Sequence, residues 1–146
     1  MEKVSIVVVP YDSLAQKETI KLRDKVLRKP LGLVFFAEQL QKEKDDVHIA
    51  AYLDDKLVGC LLLHQSSNTH LKMRQVAVDP DCQKKGVGNQ MIVFCHAYGR
   101  ANNFNVIYCH ARDTAKLFYE KNGYEVIGDS FEEVGLKHWK MKFELW

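Results

Sequence analysis

The residues Gln83-Lys84-Lys85-Gly86-Val87-Gly88 put two lysines and two glycines into six positions, between an apolar run and an amphipathic one. A turn that leads straight into a helix offers backbone N–H groups with no intrahelical partner, and the helix start adds partial positive charge. Glycine lets the backbone approach a ligand closely, and the lysines add full charges. This is the chemistry of a phosphate cradle. The turn alone does not say whose phosphate. The pattern GxxxxGK(S/T) is absent, and of GxGxxG only Gly86-x-Gly88 remains. In isolation, a glycine-rich loop that binds nothing fits equally well.

The elements that must hold this turn can be read from periodicity. Val4 to Val9 is β-branched and ends at Pro10, which predicts a strand. Asp12 or Ser13 can cap a helix in which Leu14, Thr19, Leu22, Val26 and Leu27 fall near helical spacing, up to Lys29-Pro30. Leu31 to Leu40, with Phe35 and Phe36, reads as a loop and a short helix. Val47 to Leu53 and Lys56 to His64 form a hairpin about Asp54-Asp55, and the second strand, apolar on both faces, belongs in the middle of a sheet. Leu71 to Val78 is a strand ending at Asp79-Pro80. After the glycine turn, Val87, Met91, Ile92, Cys95 and Tyr98 share one helical face. Asn105 to Cys109 is a strand. Asp113 or Thr114 can cap a helix that runs to Asn122 and stops at Gly123. Tyr124 to Ile127 is a strand. A loop with Gly128, Asp129, Glu132, Glu133 and Gly135 then leads to a last strand, where Trp139, Met141, Phe143 and Leu145 alternate with His138, Lys140 and Lys142. The whole is a mixed α/β sheet with helices packed on it, in one domain over residues 1–146.

Bulk properties narrow the function classes. A chain of 146 residues with 47% hydrophobic content can bury a core. Charged residues make up 27% and the net charge is +2, so no broad attraction to nucleic acid or anionic lipid is expected. No apolar stretch approaches the ~20 residues of a membrane span, and the N-terminal segment is too short and interrupted for a signal peptide. Cys60, Cys82, Cys95 and Cys109 form no CxxC pair and no zinc spacing. These features predict a cytoplasmic protein with reduced cysteines and no metal.

Two stretches together are more specific than either alone. "LKMRQVAVDPDCQKKGVGNQMI" runs from a strand through Val-Asp-Pro into Q-x-x-G-x-G at a helix start, and resembles motif A of the GNAT superfamily of N-acetyltransferases, Q/R-x-x-G-x-G/A. "ARDTAKLFYEKNGYEVIG" resembles the second GNAT signature, N-x-x-A-x-x-L/F-Y-x-x-x-G-F/Y. The resemblance covers nearly the whole chain. Within the superfamily, "LRDKVL", "EQL" and "FEEVGLKHWKM" are most similar to the ElaA-like or YjcF-like branch.

The resemblance implies a GNAT-like mixed, mostly antiparallel sheet of about six to seven strands with about four helices, splayed in the centre. It implies acetyl-CoA as co-substrate, an amine as acceptor, and acetyl transfer by direct attack in a ternary complex. The strand Gln75 to Val78, through Val76, Ala77 and Val78, would meet the pantetheine arm. Gln83, Lys84, Lys85, Gly86, Val87 and Gly88 would hold the diphosphate, helped by Asn89. Tyr119 falls at the general-acid position; a phenol near pKa ~10 can protonate a departing thiolate. The alternative for Phe118-Tyr119 is an aromatic pair packing a helix on the sheet. Arg112 stands where the family often has Asn, and can serve a CoA phosphate, the acceptor, or neither.

The acceptor amine must lose a proton. Glu133 and His138, a carboxylate and an imidazole close in sequence, are the leading candidates; Glu132, His110 and Glu38 are others. A polar edge strand beside an acidic loop is the bland alternative. Arg23, Arg28 and Glu38 can meet a charged acceptor or simply form a solvated helix face. The apolar end Phe-Glu-Leu-Trp can support a homodimer or pack on its own sheet. A non-catalytic acyl-CoA-binding module would keep the glycine turn without needing Tyr119.

Overall fold

The computed structural model describes residues 3–33 and 37–146. Phe35 and Phe36 lie outside them. Among the described residues seven strands form one sheet: β1 (Val4–Val9), β2 (Val47–Leu53), β3 (Lys56–Gln65), β4 (His70–Val78), β5 (Val106–Arg112), β6 (Glu125–Glu133) and β7 (Leu136–Glu144). Their spatial order is β1-β2-β3-β4-β5-β7-β6. Among the described residues only β4 and β5 run parallel; every other neighbouring pair is antiparallel. The parallel pair needs a crossover, and α3 (Val87–Ala101) supplies it.

The two faces are covered differently. On one, α3 buries Val87, Met91, Ile92 and Cys95 against Ile49, Leu61, Met73, Ile107 and Met141. The short α4 (Lys116–Lys121) packs on the same core through Tyr119. On the other face lies α1 (Leu14–Arg23), capped by Ser13, whose Oγ accepts from the Gln16 N–H at 3.1 Å. Leu22 of α1 packs on Cys60 and Ala77, and the Cys60 thiol lies 3.7 Å from the Thr19 carbonyl. The short α2 (Ala37–Gln41) is exposed or half-buried throughout.

Several boundaries differ from the sequence expectation. The α1 pattern does not continue to Lys29: winding loosens to a π turn over Asp24–Arg28, and a 3-10 turn at Lys29–Leu31 ends on Gly32 at φ +68°. Leu14 is exposed rather than part of an apolar face. β5 extends to Arg112 because β7 pairs with it along its whole length. The helix expected from Asp113 begins as a 3-10 turn, Asp113–Ala115, with no side-chain cap, since Asp113 accepts the Trp139 Nε1–H at 2.7 Å instead. The segment read as a loop over Gly128 to Gly135 is mostly strand. β6 bulges between Ile127 and Phe131, with Gly128 at φ +73°, then resumes pairing through Glu133. A bulge interrupts alternation, so the pattern breaks although the strand does not.

All four cysteines are buried free thiols. Leu145 is buried, whereas Trp146 is exposed and donates Nε1–H to the Phe104 carbonyl at 2.9 Å. Among the described residues no helix is long and apolar enough to cross a membrane.

Candidate active site

The sheet is split where the parallel pair β4 and β5 parts. β4 pairs with β5 over His70–Met73 against Val106–Cys109 and no further. Beyond that point Gln75 sits at φ +55°, and the β3–β4 register shifts between Cys60 and Leu62. A left-handed residue other than glycine inside a strand is costly, and such strain persists where the surroundings enforce it. A cleft of about 800 Å³ opens from the split. Arg74, Gln75, Val76 and Val78 line it from β4, and Cys109 to Arg112 line it from β5. Main-chain groups on this edge of β4 have no β5 ladder to join, so they are free to meet a ligand.

The glycine turn stands at one end of the cleft. Asp79 fixes its entry: Oδ1 accepts the Asp81 N–H at 3.0 Å, and Oδ2 faces Lys25 Nζ at 3.3 Å. The Asp81 N–H, helped by Lys25, holds the Asp79 carboxyl below its ordinary value. Pro80–Lys85 makes a 3-10 turn, Gly86 takes φ +78°, and α3 starts at Val87. Gly88 needs its missing side chain for a different reason, since a Cβ there would lie 3.2 Å from the Phe118 ring. The Gln83 amide donates to the Val78 carbonyl at 3.3 Å, tying turn to strand.

Of the residues expected to hold CoA, Val76, Val78, Gln83, Gly86, Gly88, Asn89 and Arg112 line the cleft. The Asn89 Oδ1 accepts from Asn122 Nδ2 at 3.0 Å. Two side chains lie away from the cleft, which leaves the backbone contacts expected of them untouched. Ala77 is buried under α1, and Val87 is buried in the core against α3's neighbours, so each can offer a ligand only its backbone. Lys85 is exposed and is not part of the cleft lining. The side chain of Lys84 lies outside those described.

Tyr119 lines the cleft and is otherwise buried, 6% exposed, edge-on to Phe118 and Tyr124. The two readings of the Phe118-Tyr119 pair therefore coexist: the rings pack, and one also faces the cleft. Burial pushes the Tyr119 phenol up, and the neighbouring Cys109 thiol adds to the effect. Burial pushes Cys109 itself up to about 12. The phenol thus keeps its proton at neutral pH, and the same burial makes it a weaker acid than a free phenol.

Glu133 and His138 do come together, and His110 joins them. The β6 bulge and the turn at Val134 and Gly135 (φ +47° and +72°) bring Glu133 over β5 and β7. Glu133 Oε1 lies 3.2 Å from His110 Nδ1, and Oε2 lies 3.6 Å from His138 Nε2. His138 Nδ1 is 2.8 Å from the Leu136 carbonyl. A carbonyl only accepts, so Nδ1 carries the hydrogen, and in the neutral ring Nε2 presents its lone pair toward Glu133. His138 shares a face with Lys140 and Lys142, as alternation predicted, but it is 3% exposed because Phe131 stacks beside it. Glu132 points to the other face, opposite Lys137, and neither it nor Glu38 lines the cleft. Arg23 is not available to an acceptor: it is fully buried in a two-bonded pair with Glu43, at 2.9 and 2.7 Å. Arg28 does line the cleft.

Lys72, Arg74 and Phe118 also line the cleft, and the sequence analysis does not place them there. The first two were legible. Lys72 and Arg74 alternate with Leu71 and Met73, which are buried, so both must project from the opposite face.

Comparison with known proteins agrees with this geometry. Residues 26–145 match the family model described as "Acetyltransferase (GNAT) domain". Similar solved structures include a candidate N-acetyltransferase from Lactobacillus plantarum, with TM-score 0.87, 20% identity, and 98% of this chain and 99% of that one covered. Another is an aminoglycoside 6'-N-acetyltransferase in complex with coenzyme A, with TM-score 0.82, 15% identity and 97% of each chain covered. Escherichia coli ElaA aligns with TM-score 0.78 at 18% identity, over 97% of this chain and 99% of that one. At these identities the structures share the fold.

Proposed function

The chain belongs to the GNAT acetyltransferases, and from that premise we propose that it moves an acetyl group from acetyl-CoA to the primary amine of a small molecule or peptide. As a GNAT-domain protein it is an acyltransferase. The finer reading rests on one observation: the glycine turn, the parted strands, a buried tyrosine and the Glu133 group all border a single cleft.

In this reading the N–H groups of Gln83 to Gly88 and the start of α3 take the diphosphate, and Asn89 lies beside them. The β4 edge at Val76 to Val78 takes the pantetheine amides. Backbone N–H groups near the Gln75 bulge meet the thioester oxygen and the negative charge it gains on attack. Glu133, with His110 and His138 against its two oxygens, accepts the amine proton directly or through a water. The amine nitrogen bonds to the carbonyl carbon, the carbon–sulfur bond breaks, and Tyr119 gives its proton to the departing thiolate. Both substrates are bound when the bond forms, so no acetylated enzyme intervenes. The whole of residues 1–146 serves as one domain for this reaction, in the cytoplasm.

Calorimetric titration with acetyl-CoA, ATP and NADH, followed by thiol release with primary amines, tests the reading. Micromolar binding of acetyl-CoA alone, with amine-dependent thiol release, is the expected result. Equal binding of all three nucleotides overturns the cradle. Acetyl-CoA binding without turnover of any amine would leave an acyl-CoA-binding module.

A further inference from the structure

The cleft carries more positive charge than diphosphate binding at the glycine turn accounts for. Four cationic side chains line it, Arg28, Lys72, Arg74 and Arg112, against one carboxylate among the described lining residues, Glu133. Both oxygens of that carboxylate already face imidazoles. Among the described residues Lys72, Arg74 and Arg112 form no ion pair with an Asp or Glu, although all three are half-buried. Desolvation lowers the pKa of Lys72 and of Arg28, and the neighbouring Arg74 lowers both further. A fold gains no stability from crowding cations in this way.

Register fixes which side of the sheet they occupy. Lys72 lies beside Tyr108, and Arg112 lies opposite His138. Arg74 lies opposite Leu62, two residues from the Cys60 that touches α1. The three therefore project on the α1 face, with Glu133, His110 and His138. The glycine turn feeds α3, which packs on the other face. The cations thus surround the candidate base, not the diphosphate cradle. Val26, Leu27 and Leu31 line the same cleft and offer apolar surface to a short carbon skeleton.

We propose that the acceptor is a small amine that also bears an anionic group, a carboxylate or a phosphate, and that Lys72, Arg74 and Arg112 bind this group while Glu133 faces the amine. The proposal rests on the acetyl-transfer reading and names the substrate class for it. A guanidinium binds either anion through two parallel N–H bonds, which gives orientation as well as affinity.

The test uses the whole chain loaded with CoA. Calorimetry measures binding of β-alanine and O-phosphoethanolamine against β-alaninamide, ethanolamine and ethylenediamine, and acetyl-CoA turnover is measured with the same amines. At least one anionic member is expected to bind, and to react by kcat/KM, about 10- to 100-fold better than its neutral counterpart. The carboxylate and phosphate arms say which anion is favoured. Arg74→Gln and, separately, Lys72→Gln are expected to reduce that preference about tenfold, a ratio that a general loss of folded protein does not change. Equal binding across the panel, or preference for ethylenediamine, overturns the proposal. So does an Arg74→Gln variant that weakens acetyl-CoA while keeping the acceptor preference, because the cations would then serve the nucleotide. Failure of acetyl-CoA itself to bind is a different result and strikes the functional reading.

Discussion

Arg23 and Arg74 stand on the same side of the sheet and are treated in opposite ways. Arg23 is fully buried, and the Glu43 carboxylate meets it with two hydrogen bonds. Arg74 is half-buried at the mouth of the split, with no carboxylate paired to it among the described residues. Removing a charge from water is costly unless a partner compensates it. The first arginine satisfies that requirement inside the molecule and becomes architecture under α1. The second leaves it to be satisfied by something that arrives. The same contrast separates the neighbourhoods: the region around Glu43 is closed, while the region around Gln75 is open, strained and charged.

The sharpest way to probe the contrast is to cut each region once. Tyr119→Phe removes only a hydroxyl from the open region. Turnover is expected to fall by about 10²–10⁴, with acetyl-CoA affinity nearly unchanged; single-turnover rates and calorimetry read both. Unchanged turnover would remove Tyr119 from the chemistry. Glu43→Ala cuts the closed region and leaves a buried guanidinium without its carboxylate. A loss of roughly 3–5 kcal/mol is expected, seen as a lower denaturant midpoint at constant slope. A shift under about 1 kcal/mol would mean that Arg23 escapes to water and the contrast fails.

A third cut concerns pH. His96 is buried beside Phe143, with ring centroids 3.9 Å apart, and its Nε2 shares a hydrogen bond with the Tyr124 hydroxyl at 3.0 Å. Burial lowers its pKa from 6.5 to about 4. The unfolded chain therefore takes up this proton first as pH falls. Stability from this site is intact above about 6.5 and declines steadily toward about 4. Melting temperatures across that range should drop, and His96→Gln should flatten the slope. The smallest effect expected is at Val134. A β-branched residue at φ +47° is strained, so Val134→Asn should raise stability by about 1 kcal/mol. If the strain positions Glu133, the same change will lower kcat more than it alters KM for acetyl-CoA.

Much of this architecture is legible in the chain, for physical reasons that differ by element. β2 and β3 are legible as apolar runs because both their faces are buried, the first half of β4 by alternation, and β1 by its β-branched residues although Val7 and Val8 are exposed. The α3 face is legible because Val87, Met91, Ile92 and Cys95 repeat at helical spacing, and the cradle because Gln83, Gly86 and Gly88 stand at a strand–helix junction. The second half of β6 is hidden, since its bulge breaks alternation and its residues are mostly exposed. A polar edge strand stands as the alternative for His138 because sequence cannot show that β7 is interior or that Phe131 covers the ring. The split itself left no trace in composition; it depends on a left-handed Gln75, a residue type that gives no warning of it.

The strand order also sets a timetable. β7 lies between β5 and β6, yet it follows both in the chain. As the polypeptide is made, the cradle and the β4 edge are present while β5 still has a bare edge. Only when β7 slides into that edge is Glu133 held near His110 and His138. The nucleotide half of the cleft can thus be assembled before the half that would deprotonate an amine, and β7, made after both its neighbours, completes that second half.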